Sequence, residues 1–223
     1  MREVLTKVYK FQELSKSAKY KALDIGRSMV DDNFSDFGNR DLTDEFCRML
    51  REKGLPEGCN RRDGSGVVEW SLSNCQGDGV AFYGPIDHKK FIATGFAGTD
   101  TEYLNKFFNL CETHDIQITF NINRNRFGDH YSHARTMYVD AEYFFGDDAS
   151  EEAFCRDIGG DCTFSSHVGR VAEIFIEEVR DVSHELEKFG YDRIEAEYDD
   201  DTIIDMFEVN EIEFTEDGKV FSE

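Results

Sequence analysis

The sequence predicts an α+β fold: an antiparallel β-sheet meander with helices packed on one face, followed by an acidic helical C-terminal region. Three patterns lead there. Residues 68–73 and 116–123 alternate apolar and polar side chains, the period of half-buried strands. Elsewhere apolar residues recur every three to four positions, the helical period. The 223 residues also include 20 Phe and 9 Tyr, enough aromatic surface for a core despite a charged fraction of 32%, which argues against disorder. A chain of this length buries about 70% of its unfolded surface without disulfide help.

The elements follow in order. Val4 to Phe11 is rich in β-branched and aromatic residues and reads as a strand. Ser15 is placed to cap a helix running to about Val30, with Ala18, Ala22, Ile25 and Met29 at helical spacing. A second helix, Leu42 to Lys53, turns Phe46, Met49 and Leu50 inward and stops at Gly54 and Pro56. Val68, Trp70 and Leu72 alternate with polar residues, then Asp78-Gly79 turns the chain into Val80–Gly84, a hairpin pattern. Thr99 with Glu102 forms a capping box for a helix to about His114 that buries Tyr103, Leu104, Phe107 and Cys111. Ile116, Ile118, Phe120 and Ile122 alternate with polar neighbours in one strand, and Arg135–Phe144 is its partner across a basic, aromatic turn. A short helix at Glu151–Arg156 precedes the longest one, Ser166–Phe189. There Val168, Val171, Phe175, Val179, Val182, Leu186 and Phe189 form one stripe. Asp201 caps a last helix through Val209, and Glu211–Phe214 and Lys219–Phe221 form a small hairpin about Asp217-Gly218.

Charge divides the chain unevenly. Residues 1–140 carry 19 Lys/Arg and 21 Asp/Glu, whereas residues 141–223 carry 6 and 26, so nearly all of the net charge of −22 lies in the last third. This suggests a sheet domain over 1–145 and an acidic extension over 146–223 packed on it, ending in the hairpin. Phosphate contacts need Lys and Arg, so the acidic region excludes direct nucleic-acid binding through itself. It suits either solubility or a basic partner. No stretch approaches the ~18 apolar residues of a membrane span, and nothing early resembles a signal peptide. The six scattered cysteines then read as reduced thiols in a cytoplasmic protein.

The residues that could carry chemistry give weak patterns. His130 and His133, with His88 and Cys75 elsewhere, have no Cys-x-x-Cys pair to complete a zinc site. Asp199, Asp200 and Asp201 lack the alternation and central glycine of a calcium loop. Gln76-Gly77-Asp78-Gly79 is neither a P-loop nor a dinucleotide fingerprint, and nucleophile elbows, kinase signatures and His-Glu-x-x-His are absent. No catalytic residue, metal or cofactor is expected. One basic, aromatic stretch stands out: Arg124, Arg126, Phe127, His130, Tyr131, His133 and Arg135. Cations beside aromatics suit single-stranded nucleic acid, although the net charge opposes approach.

Four stretches together resemble a known family. They are Val8-Tyr9-Lys10-Phe11-Gln12-Glu13-Leu14-Ser15 with Ala18-Lys19; Ser73-Asn74-Cys75-Gln76-Gly77-Asp78-Gly79-Val80-Ala81-Phe82-Tyr83-Gly84; His130-Tyr131-Ser132-His133; and Asn210-Glu211-Ile212-Glu213-Phe214-Thr215-Glu216-Asp217-Gly218. The family comprises phage, prophage and plasmid proteins labelled as an antitoxin of a toxin–antitoxin stability system. The resemblance brackets nearly the whole chain and implies a small accessory protein of a mobile element, in a host cytoplasm. It carries no catalytic residues with it.

The leading expectation is therefore a phage-type accessory protein, not an enzyme. It binds and inhibits a host nucleic-acid-handling or defence protein through an acidic, DNA-like face. Glu173, Glu177, Glu178, Asp181, Glu185 and Glu187 of the long helix, with Asp199, Asp200 and Asp201, are its candidate contacts. The rival is an antitoxin or single-strand-binding protein that uses Arg124, Arg126, Phe127, His130 and Tyr131; an enzyme without a recognisable signature is third. The partner's identity and the oligomeric state stay open.

Overall fold

The protein is described from a computed structural model covering residues 7–33, 38–58, 67–73, 75–96, 98–125, 131–147, 149–159 and 163–222. Its contacts group it into two compact units, residues 43–189 and residues 1–42 with 190–223. The expected division at residue 145 follows charge; the compact units follow packing, and the smaller one gathers both ends of the chain.

The larger unit is built on a four-stranded antiparallel sheet in the order β1-β2-β3-β4. Its strands are β1 (Val67–Ser71), β2 (Gly79–Pro85), β3 (Ile116–Arg124) and β4 (Met137–Phe145). The predicted meander is therefore present, and the α+β class with it. Register sets Trp70 against Val80 and Val68 against Phe82, and Phe120 against Ala141. The Ile116, Phe120 and Ile122 face is buried, while Gln117 and Thr119 on the other face are exposed.

Helices α4 (Thr99–Thr113), α5 (Ser150–Ile158) and α6 (Phe164–Glu197) supply the apolar complement. Phe175 on α6 sits at the centre, 5.1 Å from Phe120, 5.2 Å from Phe91 and 6.2 Å from Phe108 between ring centroids. Offset and edge-on ring pairs of this kind add about 0.5–1.5 kcal/mol each beyond area burial. The predicted α6 stripe is real: Val171, Phe175, Val179, Val182 and Leu186 are all buried. Ser183 on the same side donates to the Val80 carbonyl at 2.5 Å, satisfying the one hydroxyl that the stripe buries completely.

Helix α2 (Asn39–Lys53) ends as its sequence requires. Gly54 takes φ 73°, its N–H reaches the Arg51 carbonyl at 3.2 Å, and the Leu55 N–H reaches Leu50 at 3.0 Å. That is a Schellman stop, and buried Leu50 and Leu55 close it.

The smaller unit packs α1 (Lys16–Asn33) on α7 (Asp200–Val209). Ala18, Ala22, Leu23, Ile203, Phe207, Phe11 and Phe214 form its core. Ser15 caps α1 as expected, its Oγ accepting from the Ala18 N–H at 3.3 Å.

Several expectations are corrected. Of the strand expected over Val4 to Phe11, residues 4–6 lie outside the described residues; among the described ones Tyr9 alone pairs, in a single bridge with Phe214, and Phe11–Glu13 is a 3-10 turn. Glu13 accepts from the Lys10 N–H at 2.8 Å and so bends the chain. The expected β1–β2 hairpin is present, its connection spanning residues 72–78 with Gly79 opening β2. Gly98, not Thr99, holds the N-cap position of α4. Helix α3 (His88–Gly95), capped by Asp87, lies where the sequence pattern predicts no element.

Helix α6 does not stop at Phe189 but runs to Glu197. Arg193 and Glu197 pair at 2.8 Å one turn apart, and glutamate and alanine are good helix formers even in an acidic run. Asp199 rather than Asp201 caps α7, its carboxylate accepting from the Asp201 N–H at 3.4 Å. The small terminal hairpin is present as expected: Phe214 bridges Val220, and the Phe221 and Thr215 N–H groups reach the Glu213 and Lys219 carbonyls, both at 2.8 Å.

Candidate functional site

Helix α6 carries the candidate site because its inner stripe dictates its outer face. With Val171, Phe175, Val179 and Val182 buried, Glu173, Glu177 and Asp181 are turned outward and exposed. Glu173, Glu177, Asp181 and Glu185 are four residues apart. They therefore form a slanting row with a charge about every 6 Å over about 18 Å of helix. Among the described residues the row holds one ion pair, Glu185 with Lys53 at 3.1 Å. Arg180 and Lys188, also exposed, interrupt the same side of the helix.

The row's flanks are less open. Glu178 is half-buried, its side chain lying along Gly95 of α3. Burial raises its carboxyl above the usual range; Lys53 works against that shift, and Asp181 and Glu185 reinforce it. Glu187 lies 3.5 Å from His184 Nδ1, a pairing that is ionic only when the imidazole is protonated.

The three aspartates expected to join this row belong to the other unit and have local work. Asp199 caps α7, Asp200 pairs with Arg27 at 2.6 Å, and Asp200 and Asp201 fill the first turn of α7. Carboxylates there complement the helix dipole. The helix start accounts for all three.

The alternative, basic site is only partly within the described residues, since Arg126, Phe127 and His130 lie outside them. Arg124 is engaged. It forms an ion pair with Glu69, donates to the Tyr83 hydroxyl at 3.1 Å, and stacks 4.8 Å from the Tyr83 ring centroid. Tyr131 is about half exposed, and a Cβ placed on Gly77 would overlap its ring. Likewise a Cβ on Gly79 would come within 2.8 Å of the His133 side chain. The Gln76–Gly79 turn therefore packs on Tyr131–His133, joining two stretches distant in sequence.

Within that turn the chemistry is structural. The Asp78 carboxylate accepts from the Ser71 hydroxyl at 2.8 Å and from the backbone N–H groups of Ser73 and Cys75 at 2.7 and 2.8 Å. Cys75 is exposed beside the Ser73 hydroxyl, and His133 Nδ1 accepts from the Arg135 N–H at 3.0 Å.

Other titratable groups are also built into the packing. His88 stacks on Phe108 at 4.0 Å, and burial lowers its pKa. His167 meets the Tyr103 hydroxyl at 3.0 Å, and burial, with Arg170 and Lys106 nearby, lowers its pKa also. Burial pushes the Cys111 thiol up to about 12, making it inert. Among the described residues no group of three His, Cys, Asp or Glu side chains is placed to hold a metal, and no helix is long and apolar enough to cross a membrane.

No protein-family model matches the chain, and no curated protein or solved structure does.

Proposed function

We propose that the protein acts by binding another protein, presenting the α6 carboxylates to a basic surface of the kind that grips nucleic acid and thereby inhibiting it. The observation that supports this reading is the exposed row Glu173, Glu177, Asp181 and Glu185, with a single ion pair among the described residues. Like charges one turn apart destabilise a helix by about 0.2–0.5 kcal/mol per pair. The buried stripe holds them together regardless. A charge about every 6 Å is sparser than the one per ~1.7 Å of duplex DNA, yet clustered charge of one sign still steers a cationic groove into contact. The engagement of Arg124 with Glu69 and Tyr83 argues against the rival, a nucleic-acid site at the end of the sheet. The resemblance to phage and plasmid accessory proteins supplies the setting, a host enzyme that handles nucleic acid or defends against it.

The test is capture from a host lysate at low and high salt, about 50 and 200 mM, with duplex DNA as competitor. The parent should retain a basic protein at low salt and release it to salt and to DNA. The triple variant Glu173→Lys, Glu177→Lys, Asp181→Lys should lose it while melting within a few degrees of the parent, since exposed single charges contribute little to folding. Equal capture by the triple variant would leave the row as a solubility device.

A further inference from the structure

The backbone at the edge of the sheet can be read group by group. Strand β4 is the edge of the β1-β2-β3-β4 order and is nine residues long. The Asn125 N–H donates to the Thr136 carbonyl and the Gly146 N–H to the Asp115 carbonyl. With the register Asn121↔Asp140 and Asn123↔Tyr138, these bonds assign the even-numbered residues of β4 to the ladder with β3. In an antiparallel pair the alternate residues turn both main-chain groups away. Val139, Ala141 and Tyr143 therefore aim their N–H and carbonyl groups off the edge.

Among the described residues only one of these groups is satisfied: the Ala141 N–H donates to the carboxylate of its own neighbour, Asp140, at 2.8 Å. Natural edges are blunted by charges in this way. Here the protection covers one donor at the centre of the strand.

The side chains say what would fit. Tyr138, Asp140, Glu142 and Phe144 are exposed on the wet face. Their cross-strand partners on β3 are Asn123, Asn121, Thr119 and Gln117, none of them charged. Neither Asp140 nor Glu142 has an ion-pair partner among the described residues. On the opposite face Val139, Ala141 and Tyr143 are half-buried.

We propose that the β4 edge accepts an added strand, an extended segment of a partner protein that alternates apolar with Lys or Arg residues. Its backbone would bond Val139, Ala141 and Tyr143, the β-augmentation mode. Its cations would stand opposite Asp140 and Glu142, where side chains approach within about 5 Å, with Tyr138 and Phe144 bracketing their aliphatic stems. A cation opposite Asp140 draws that carboxylate off the Ala141 N–H and frees the donor for the incoming strand, so the edge discriminates by charge. A second copy of this chain fits less well. The symmetric register that pairs all nine residues centres on Ala141 and sets Asp140 against Glu142, like charges directly opposed.

The test follows backbone amides by NMR in the full chain while adding one of two peptides, acetyl-Thr-Val-Lys-Val-Arg-Val-Thr-amide or its counterpart with serine for both cations. The basic peptide should shift the Val139, Ala141 and Tyr143 amides, protect them from exchange, and bind at least tenfold tighter than the serine peptide. Ala141→Pro removes only an outward N–H, a position where an edge strand tolerates proline, and should abolish binding with the β3–β4 ladder intact. Asp140→Lys should abolish it too. The α6 triple variant should bind as the parent does, which separates this surface from the α6 row. Equal binding to Ala141→Pro, absent shifts on β4, or concentration-dependent dimers lost in Ala141→Pro would each overturn the proposal, the last assigning the edge to a second copy.

Discussion

At the scale of single residues, the same side-chain type does opposite work according to what surrounds it. Asp78, in the most specific sequence stretch of the chain, spends its carboxylate on the loop it belongs to, accepting from Ser71, Ser73 and Cys75. Replacing it with alanine frees the backbone donors of Ser73 and Cys75, both exposed, to bond water. Water can replace the lost acceptor, so Asp78→Ala should lower unfolding free energy by about 1 kcal/mol, the net contribution of an ordinary hydrogen bond, in a urea titration. A loss under 0.5 kcal/mol would show that the loop is held by its packing on Tyr131–His133 instead. Asp140 is the contrasting case, a carboxylate that satisfies one donor and leaves its charge unpaired among the described residues.

At the scale of the element, α6 shows how packing holds charge in place. Its buried stripe includes Phe175, ringed by Phe91, Phe96, Phe108 and Phe120. That anchoring fixes the helix and so forces its acidic residues into one row and one half-buried flank. Glu178 on the flank reports the consequence. Burial raises its carboxyl pKa in the folded state, so its ionised form is less favourable there than in the unfolded chain. The penalty is full above the folded pKa and disappears below the unfolded value of about 4.3. Glu178→Gln should therefore raise Tm at pH 7, and its advantage over the parent should shrink as the pH falls toward 4. Destabilisation at pH 7 would mean that attraction to Lys53 outweighs burial, and equal stabilisation at both pH values would trace the gain to packing rather than charge.

At the scale of the whole molecule, charge is the dominant fact. The net −22 is shared between the units: the smaller carries 10 Lys/Arg against 20 Asp/Glu, and the larger 15 against 27. Self-repulsion on this scale weakens the folded state and is screened over about 8 Å at physiological salt. Raising NaCl from about 10 to 150 mM shortens the Debye length from about 30 to 8 Å, and Tm should rise by several degrees. An unchanged Tm would show that local pairs such as Arg27–Asp200, Arg48–Glu52 and Lys89–Glu112 already compensate the acids.

The sequence by itself determined the α+β class, the alternating faces of β3, the α6 stripe and the acidity of the last third, because each is a local period or a composition. It also placed Glu173, Glu177, Asp181 and Glu185 on one helix. Tertiary structure alone decided the rest. The continuation of α6 past Phe189 is the exception, resting on the Arg193–Glu197 pair one turn apart and on helix-forming residues, both local. That Arg124 is neutralised by Glu69, that Asp199 and Asp200 serve the start of α7, and that the turn at Gly77 meets Tyr131 are contacts between residues distant in sequence, or choices among near-equivalent caps. Nor does any local pattern reveal that β4 is an edge. An edge is defined by the absence of a neighbour, and strand order emerges only when the sheet assembles.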